Sequence, residues 1–180
     1  DWHVVEGLER LGVKAFAMVT PASTCLRLVY PTANLNERTI ELTSSAGPFT
    51  VEEVSHLEAK AYVIGASVRG EVPVEVVRAL AEKGGVLALD VQGFLRIVRD
   101  GTMVFDGWPG REEILCRVSV LKTDAVEATL LTGEDDRYRA ARRLADLGPR
   151  EVLLTHGGGV LVYTGGAFYE APFIVQEVRG

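Results

Sequence analysis

Cysteine is nearly absent from this chain, and its two occurrences exclude several kinds of site. The 180 residues contain only Cys25 and Cys116, which stand far apart in the sequence. Neither belongs to a CxxC pair or to a Cys/His spacing typical of a zinc site. We therefore expect two free thiols in a reducing compartment.

Long apolar runs and clustered basic charge are missing as well. No run approaches the roughly 20 apolar residues that cross a bilayer, and no charged segment followed by an apolar one precedes a cleavage site. The 19 Lys and Arg residues are outnumbered by 25 Asp and Glu residues, and we find no clustered Lys/Arg face of the kind that phosphate backbones favour. These absences predict a soluble, cytoplasmic protein that binds neither nucleic acid nor membranes.

The hydrophobic content of the chain is sufficient for one core. With 47% hydrophobic residues, the chain can form one sizeable domain with a small appendage, and it is too short for two full domains. Near the start, residues 14–20, 25–30 and 38–43 are short β-rich stretches separated by turn residues. They predict a small β meander.

From Thr50 onward, the pattern alternates between strands and helices. Thr50-Val-Glu-Glu53 has the spacing of a capping box, and Ala61–Gly65 and Val86–Asp90 are apolar runs typical of buried parallel strands. Residues 100–110 indicate a loop or small hairpin. Further elements are predicted as a helix at 111–116, strands at 118–122 and 151–155, a helix at 135–147 and a final hairpin around 160–171. This alternation indicates a mostly parallel sheet with right-handed crossovers.

Two acidic side chains follow the predicted strand 118–122. If a helix begins at Asp124, then Glu127 lies three residues further on the same face. Two carboxylates at a strand end could hold Mg²⁺ beside a phosphate, directly or through its waters. The same spacing also fits a capping box with Asp124 as the cap. Taken alone, the spacing favours the capping box somewhat.

Two other strand ends carry groups suited to an anion. Thr155 offers a hydroxyl, and the glycines from Gly157 onward allow close approach of a phosphate to the main chain. A tight turn explains those glycines equally well. Arg96 could pair with a phosphate, although a surface arginine is the simpler interpretation. Neither GxxxxGK[ST] nor GxGxxG occurs in the chain, and there is no GxSxG elbow.

In their order and spacing, these segments resemble the PfkB, or ribokinase-like, family of carbohydrate and nucleoside kinases. The matching pieces are Ala61–Gly65, the run 86–96, Lys122-x-Asp124-x-x-Glu127 followed by Leu131-Thr-Gly133, the helix 140–144, and Val152-Leu-Leu-Thr155-x-Gly157. The resemblance covers nearly the whole of residues 1–180. It implies one ribokinase-like α/β domain whose β-rich lid, residues 14–45, covers the acceptor sugar and often mediates homodimers.

The resemblance also implies a function. Asp124 and Glu127 stand where the family carries an NxxE motif that organises Mg²⁺ and the phosphates of ATP, with Asp124 in place of the usual Asn. Thr155 and Gly157 would help to form the ATP pocket, and Arg96 completes the candidate cofactor-binding set. The implied activity is ATP- and Mg²⁺-dependent phosphorylation of a hydroxyl on a sugar, polyol or nucleoside.

Two family segments are not found in the chain. These are the N-terminal strand with its glycine-rich acceptor motif and the GAGD segment whose aspartate deprotonates the acceptor. We therefore expect an incomplete kinase that is inactive alone, with its catalytic base beyond Gly180. One alternative is a noncatalytic nucleotide-binding or protein-interaction module derived from this fold. Another is a different doubly wound enzyme whose phosphate site uses residues 155–159.

Overall fold

The computed structural model describes residues 2–34 and 37–174. In chain order the elements are α1 (Trp2–Arg10), β1 (Cys25–Val29), β2 (Thr39–Ser44), α2 (Val51–Ser55), β3 (Ala61–Gly65), α3 (Val74–Glu82), β4 (Val86–Asp90), α4 (Gln92–Leu95), β5 (Arg96–Arg99), β6 (Thr102–Phe105), α5 (Arg111–Leu115), β7 (Val120–Asp124), α6 (Ala125–Thr132), α7 (Arg137–Ala145), β8 (Glu151–His156), β9 (Gly159–Thr164) and β10 (Ala167–Pro172). They fall into two compact units, one comprising the chain up to Pro48 with Val98–Met103, the other Phe49–Ile97 with the chain from Val104 onward.

The larger unit is built on a six-stranded sheet of order β10-β9-β8-β7-β4-β3. Strands β3, β4, β7 and β8 are parallel, and β9 and β10 are added antiparallel at one side. The mostly parallel sheet predicted from the alternating pattern is therefore confirmed. Because the parallel strands follow one another across the sheet without a reversal, their carboxyl ends form one continuous edge.

The core of this unit lies between the sheet and its helices. The strands contribute alternate side chains that are almost completely buried, among them Ile64, Leu89, Leu121 and Leu154. Helices α3 and α7 meet them with Val77 and Leu144, which are also fully buried. Alternate burial along each strand fixes its register, because a slip by one residue would turn these side chains to the opposite face.

The smaller sheet has the order β1-β2-β6-β5. Strands β1 and β2 pair antiparallel, with Leu26 opposite Leu42, which confirms the strands predicted at 25–30 and 38–43. The turn between β5 and β6 consists of Asp100 and Gly101, both with positive φ, as a two-residue hairpin requires. The loop or small hairpin expected at residues 100–110 overlaps this hairpin only in its turn and in β6, and β5 was not predicted.

One strand prediction is wrong. Residues 14–20 form no strand, and the side chains of Phe16, Met18 and Val19 are 54%, 57% and 85% exposed. A β-rich composition produces a strand only where a neighbouring backbone accepts its hydrogen bonds and its side chains find a surface to pack on. The helix α1 was not predicted at all.

Other predicted elements shift by one or two residues. The capping box at Thr50 is confirmed, with Glu53 N–H donating to Thr50 Oγ1 at 3.3 Å and Thr50 N–H donating to Glu53 Oε2 at 2.8 Å. The strand predicted at 118–122 is β7, Val120–Asp124. That shift makes Asp124 both the last residue of a strand and the cap of the next helix. Within residues 2–34 and 37–174, none of the helices has the length and apolar composition needed to span a membrane.

Candidate functional site

Polar side chains meet at the carboxyl edge of the parallel strands. Asp124 at the end of β7 is the register partner of Thr155 on β8, and Lys122 is the partner of Asp90 on β4. Ligands of open α/β sheets bind outside this edge. The structure therefore brings together Asp124, Glu127 and Thr155 as the sequence predicted.

Asp124 and Glu127 form a reciprocal pair at the start of α6. Glu127 N–H donates to Asp124 Oδ1 at 2.8 Å, and Asp124 N–H donates to Glu127 Oε2 at 2.8 Å. The capping-box interpretation is thus correct for the local structure. The capping box uses one oxygen of each carboxylate, Asp124 Oδ1 and Glu127 Oε2. The other two oxygens, Asp124 Oδ2 and Glu127 Oε1, take no part in it.

The remaining oxygen of Glu127 is unusual. The side chain is 0% exposed, and Oε1 has no hydrogen-bond partner among the described residues. Burial raises the pKa of Glu127; the bond from the Asp124 amide and the charge of Lys122 oppose that rise, while the charges of Asp124 and Asp90 add to it. A buried carboxylate oxygen with no partner is costly unless a cation or donor reaches it.

The two carboxylates suit a magnesium ion that keeps several waters, rather than a metal ion enclosed entirely by protein ligands. Mg²⁺ is commonly held by one or two carboxylates, with waters and substrate phosphates completing its octahedral shell. Across residues 2–34 and 37–174, no group of three or more His, Cys, Asp or Glu side chains is arranged to hold a metal. Asp124 Oδ2 and Glu127 Oε1 could supply the two protein oxygens.

An open cavity of about 430 Å³ lies beside Asp124, and the buried Glu127 is not among its lining residues. It is lined by Asp124, the first two residues of α6, Thr155, His156, Gly157 and Phe173. A Cβ atom added at Gly157 would meet nothing within 4 Å, so the main chain is open to a ligand there. The volume falls in the range of small-molecule sites.

His156 has a defined orientation within this lining. Its Nδ1 accepts a hydrogen bond from the Gly158 amide at 3.2 Å. In the neutral ring the proton must then sit on Nε2, which leaves an N–H donor for a ligand. The sequence pattern indicated Thr155 and Gly157, with His156 as the one histidine suited to ligand contact, and all three residues line the cavity.

Arg96 is placed differently from the other predicted site residues. It begins β5, and its guanidinium lies over the ring of Phe105, with 5.9 Å between the guanidinium carbon and the ring centroid. It is not among the described residues that line the 430 Å³ cavity. A role for Arg96 in binding phosphate stays a prediction.

We expect the cap at Asp124 to contribute measurably to stability. Asp124→Ala removes the side-chain acceptor for the Glu127 amide and should lower the free energy of unfolding by about 1 kcal/mol. Asp124→Asn keeps an acceptor and should cost less than about half of that. Urea unfolding of both variants checks this, and equal losses would mean that the charge, and not the cap, stabilises the helix.

No family model and no curated protein matches the chain. The sulfate complex of a pyrophosphate-dependent kinase in the ribokinase family matches with TM-score 0.90 and 30% identity, over 98% of this chain and 62% of that chain. A pyrophosphate-dependent myo-inositol-1 kinase, converted by mutation into a myo-inositol-3 kinase, matches with TM-score 0.86 and 31% identity, over 96% of this chain and 59% of that one.

A more distant match supports the fold alone. Aminoimidazole riboside kinase from Salmonella enterica, complexed with aminoimidazole riboside and an ATP analog, has TM-score 0.68 and 19% identity, over 98% of this chain and 60% of that one. The chain thus spans about three fifths of the length of these solved structures.

Fold and comparisons together define the class, which is a carbohydrate-kinase fold with a mostly parallel sheet flanked by helices and a smaller antiparallel sheet. Within that class, the solved neighbours are kinases of the ribokinase, or PfkB, family, and the resemblance inferred from the strand-end motifs is confirmed.

Proposed function

We propose that this chain carries the donor-binding part of a kinase that transfers a phosphoryl group to a hydroxyl of a sugar, polyol or nucleoside. The observation that carries the proposal is the fully buried Glu127, whose Oε1 lacks a partner among the described residues. Glu127 is hydrogen-bonded to Asp124, and Asp124 lines an open cavity together with Thr155. Such a cavity next to two carboxylates suits a polyphosphate that arrives with a divalent cation.

Each residue has a distinct part in this proposal. Asp124 Oδ2 and Glu127 Oε1 would hold Mg²⁺, which supplies neutralisation of phosphate charge when bound. The backbone amide at Gly157 and the Nε2–H of His156 would donate to phosphate oxygens. The hydroxyl of Thr155 donates to the Thr123 carbonyl at 3.4 Å, and it would turn from that weak bond to donate to a phosphate oxygen. Catalysis of phosphoryl transfer depends mainly on such positioning and charge stabilisation.

ATP with Mg²⁺ is the donor that the sequence motifs imply, and pyrophosphate is the second candidate. The observation that favours pyrophosphate is that the two structures at 30% and 31% identity are both pyrophosphate-dependent kinases, one of them acting on myo-inositol. By the same comparison, a cyclic polyol is a reasonable first acceptor to assay.

Isothermal titration of the 180-residue protein tests donor binding directly. We expect Mg²⁺-dependent binding of ATP, pyrophosphate or both, with affinity lost in Thr155→Val if that hydroxyl contacts the phosphates. Omission of Mg²⁺ is the control for nonspecific anion binding. If neither compound binds with Mg²⁺ present, the proposal is wrong.

We also propose that the catalytic base lies outside these 180 residues. The protein should then bind a donor without phosphorylating myo-inositol, ribose or a nucleoside, as followed by ³¹P NMR. Donor-dependent product from these 180 residues would contradict this. Donor binding without turnover also leaves the noncatalytic module open, and product formation by a longer natural chain would exclude it.

Two further proposals concern location and assembly. A cytoplasmic location fits the exposed free thiols Cys25 and Cys116. A homodimer through the smaller sheet is proposed from the family resemblance, and light scattering after gel filtration tests it: a monomer at all concentrations would exclude it.

A further inference from the structure

An ion pair joins two strand ends beside the proposed donor site. Lys122 Nζ lies 3.1 Å from Asp90 Oδ2, and the two side chains are 37% and 32% exposed. The other carboxylate oxygen, Asp90 Oδ1, accepts the amide of Gln92 at 3.0 Å. Asp90 is thus held by the backbone, and Lys122, on its flexible four-carbon stem, is the partner that can move.

Lys122 is also electrostatically part of the donor site. Its charge lowers the pKa of Glu127, whereas the charges of Asp124 and Asp90 raise it. Three carboxylates therefore share this edge with one ammonium group. A polyphosphate that approaches such a cluster meets net negative charge, so every available cation matters for its binding.

The geometry of β7 puts Lys122 within reach of the donor. Residues two apart on a strand point to the same face and lie about 7 Å apart. Lys122 therefore lies on the same face of β7 as Asp124, one such step before it. A fully extended lysine side chain spans about that distance. Lys122 does not line the cavity in this structure, but an ammonium group released from Asp90 could extend along β7 toward Asp124, which does line it.

We propose that Lys122 binds the phosphate chain of the donor and that Asp90 holds its ammonium group in reserve until the donor arrives. This inference rests on the proposed function of the site. Binding exchanges one ion pair for another: the Lys122–Asp90 pair opens, and the ammonium pairs with a phosphate oxygen. Asp90 is then a competitor of the donor for Lys122.

The competition predicts opposite effects of two substitutions. Lys122→Met removes the cation and should weaken binding of pyrophosphate or ATP with Mg²⁺ by at least about tenfold. Asp90→Asn removes the competitor and one negative charge, so it should tighten binding several-fold. The double variant should bind far more weakly than wild type and gain less from Asp90→Asn than the wild-type background does, because release of the ammonium group requires Lys122.

Isothermal titration of the 180-residue protein with each donor measures these effects, and urea unfolding of every variant reports on folding. Lys122→Arg keeps the charge and should retain most of the affinity, which separates a lost cation from a damaged fold. A merely structural ion pair would lower the stability of both single variants and leave both affinities unchanged, which would overturn the proposal.

Titration distinguishes a failure of the proposed donor-binding function from a failure of the proposed role of Lys122. If the wild-type protein binds neither donor, the proposed function is wrong and this inference falls with it. If the wild-type protein binds a donor and Lys122→Met binds it equally well, the proposed function stands and only the role of Lys122 is wrong.

Discussion

Glu127→Gln is expected to remove the Mg²⁺ dependence of donor binding while leaving the protein folded. The Gln carbonyl can still accept the Asp124 amide, as Glu127 Oε2 does at 2.8 Å. What is lost is the negative charge of a side chain with 0% exposure, so the affinity for a donor with Mg²⁺ should fall by about 100-fold. Titration with and without Mg²⁺ measures this.

The same substitution should change the pH dependence of stability. Because burial raises the pKa of Glu127 above its ordinary value of 4.5, the folded protein binds this proton more tightly than the unfolded chain. The free energy of unfolding therefore falls as pH rises from the ordinary value through the raised one. Glu127→Gln lacks this loss, so near pH 7.5 it should be more stable than wild type by about 1 kcal/mol.

Glu53→Gln is the matched control for both measurements. Glu53 makes the same reciprocal cap with Thr50 at the start of α2, and it is half-buried rather than fully buried. We expect this variant to keep Mg²⁺-dependent binding and to show no comparable gain in stability. If Glu127→Gln binds a donor with Mg²⁺ as tightly as wild type, Glu127 does not hold the metal.

Gly93→Ala should cause a large loss of stability while leaving the proposed donor site untouched. A Cβ atom at Gly93 would overlap the carbonyl oxygen and the Cβ atom of Ala66. Because a backbone carbonyl cannot rotate away as a side chain can, the chain itself must shift. We expect the free energy of unfolding to fall by about 3 kcal/mol.

The stacked rings of Phe94 and Trp108, with centroids 4.5 Å apart, allow urea unfolding to be followed by fluorescence next to the substituted position. Gly65→Ala is the control, because a Cβ atom there meets nothing within 4 Å and its φ is not positive. A loss at Gly93 no larger than that at Gly65 would show that the contact with Ala66 relaxes freely.

The sequence was most informative where a local rule decides the structure. Ala61–Gly65 and Val86–Asp90 were predictable as strands because continuous apolar runs between turn signals suit buried parallel strands. The caps at Thr50 and Asp124 were predictable because their hydrogen bonds span only three residues. That the motifs at Asp124 and Thr155 lie at the same carboxyl edge of the sheet was predictable because their strands were expected to be parallel.

What could not be predicted depends on contacts distant in sequence. The strand expected at 14–20 failed because strand formation requires a partner backbone that composition does not reveal. The Lys122–Asp90 pair arises from the register of β4 against β7, which brings together residues 32 positions apart. The complete burial of Glu127 likewise depends on how α6 packs, and its three-residue spacing from Asp124 carries no information about that.

The helix cap at Asp124 also bears on how this position can change over evolutionary time. Aspartate and asparagine cap helices about equally well, and Asp124 caps α6 through a single oxygen, Oδ1. A switch between the two residues therefore leaves folding nearly unaffected while it alters the charge at the mouth of the cavity by one unit. A substitution between these two residues can therefore change the charge that a ligand meets in the cavity without requiring a compensating mutation elsewhere for stability.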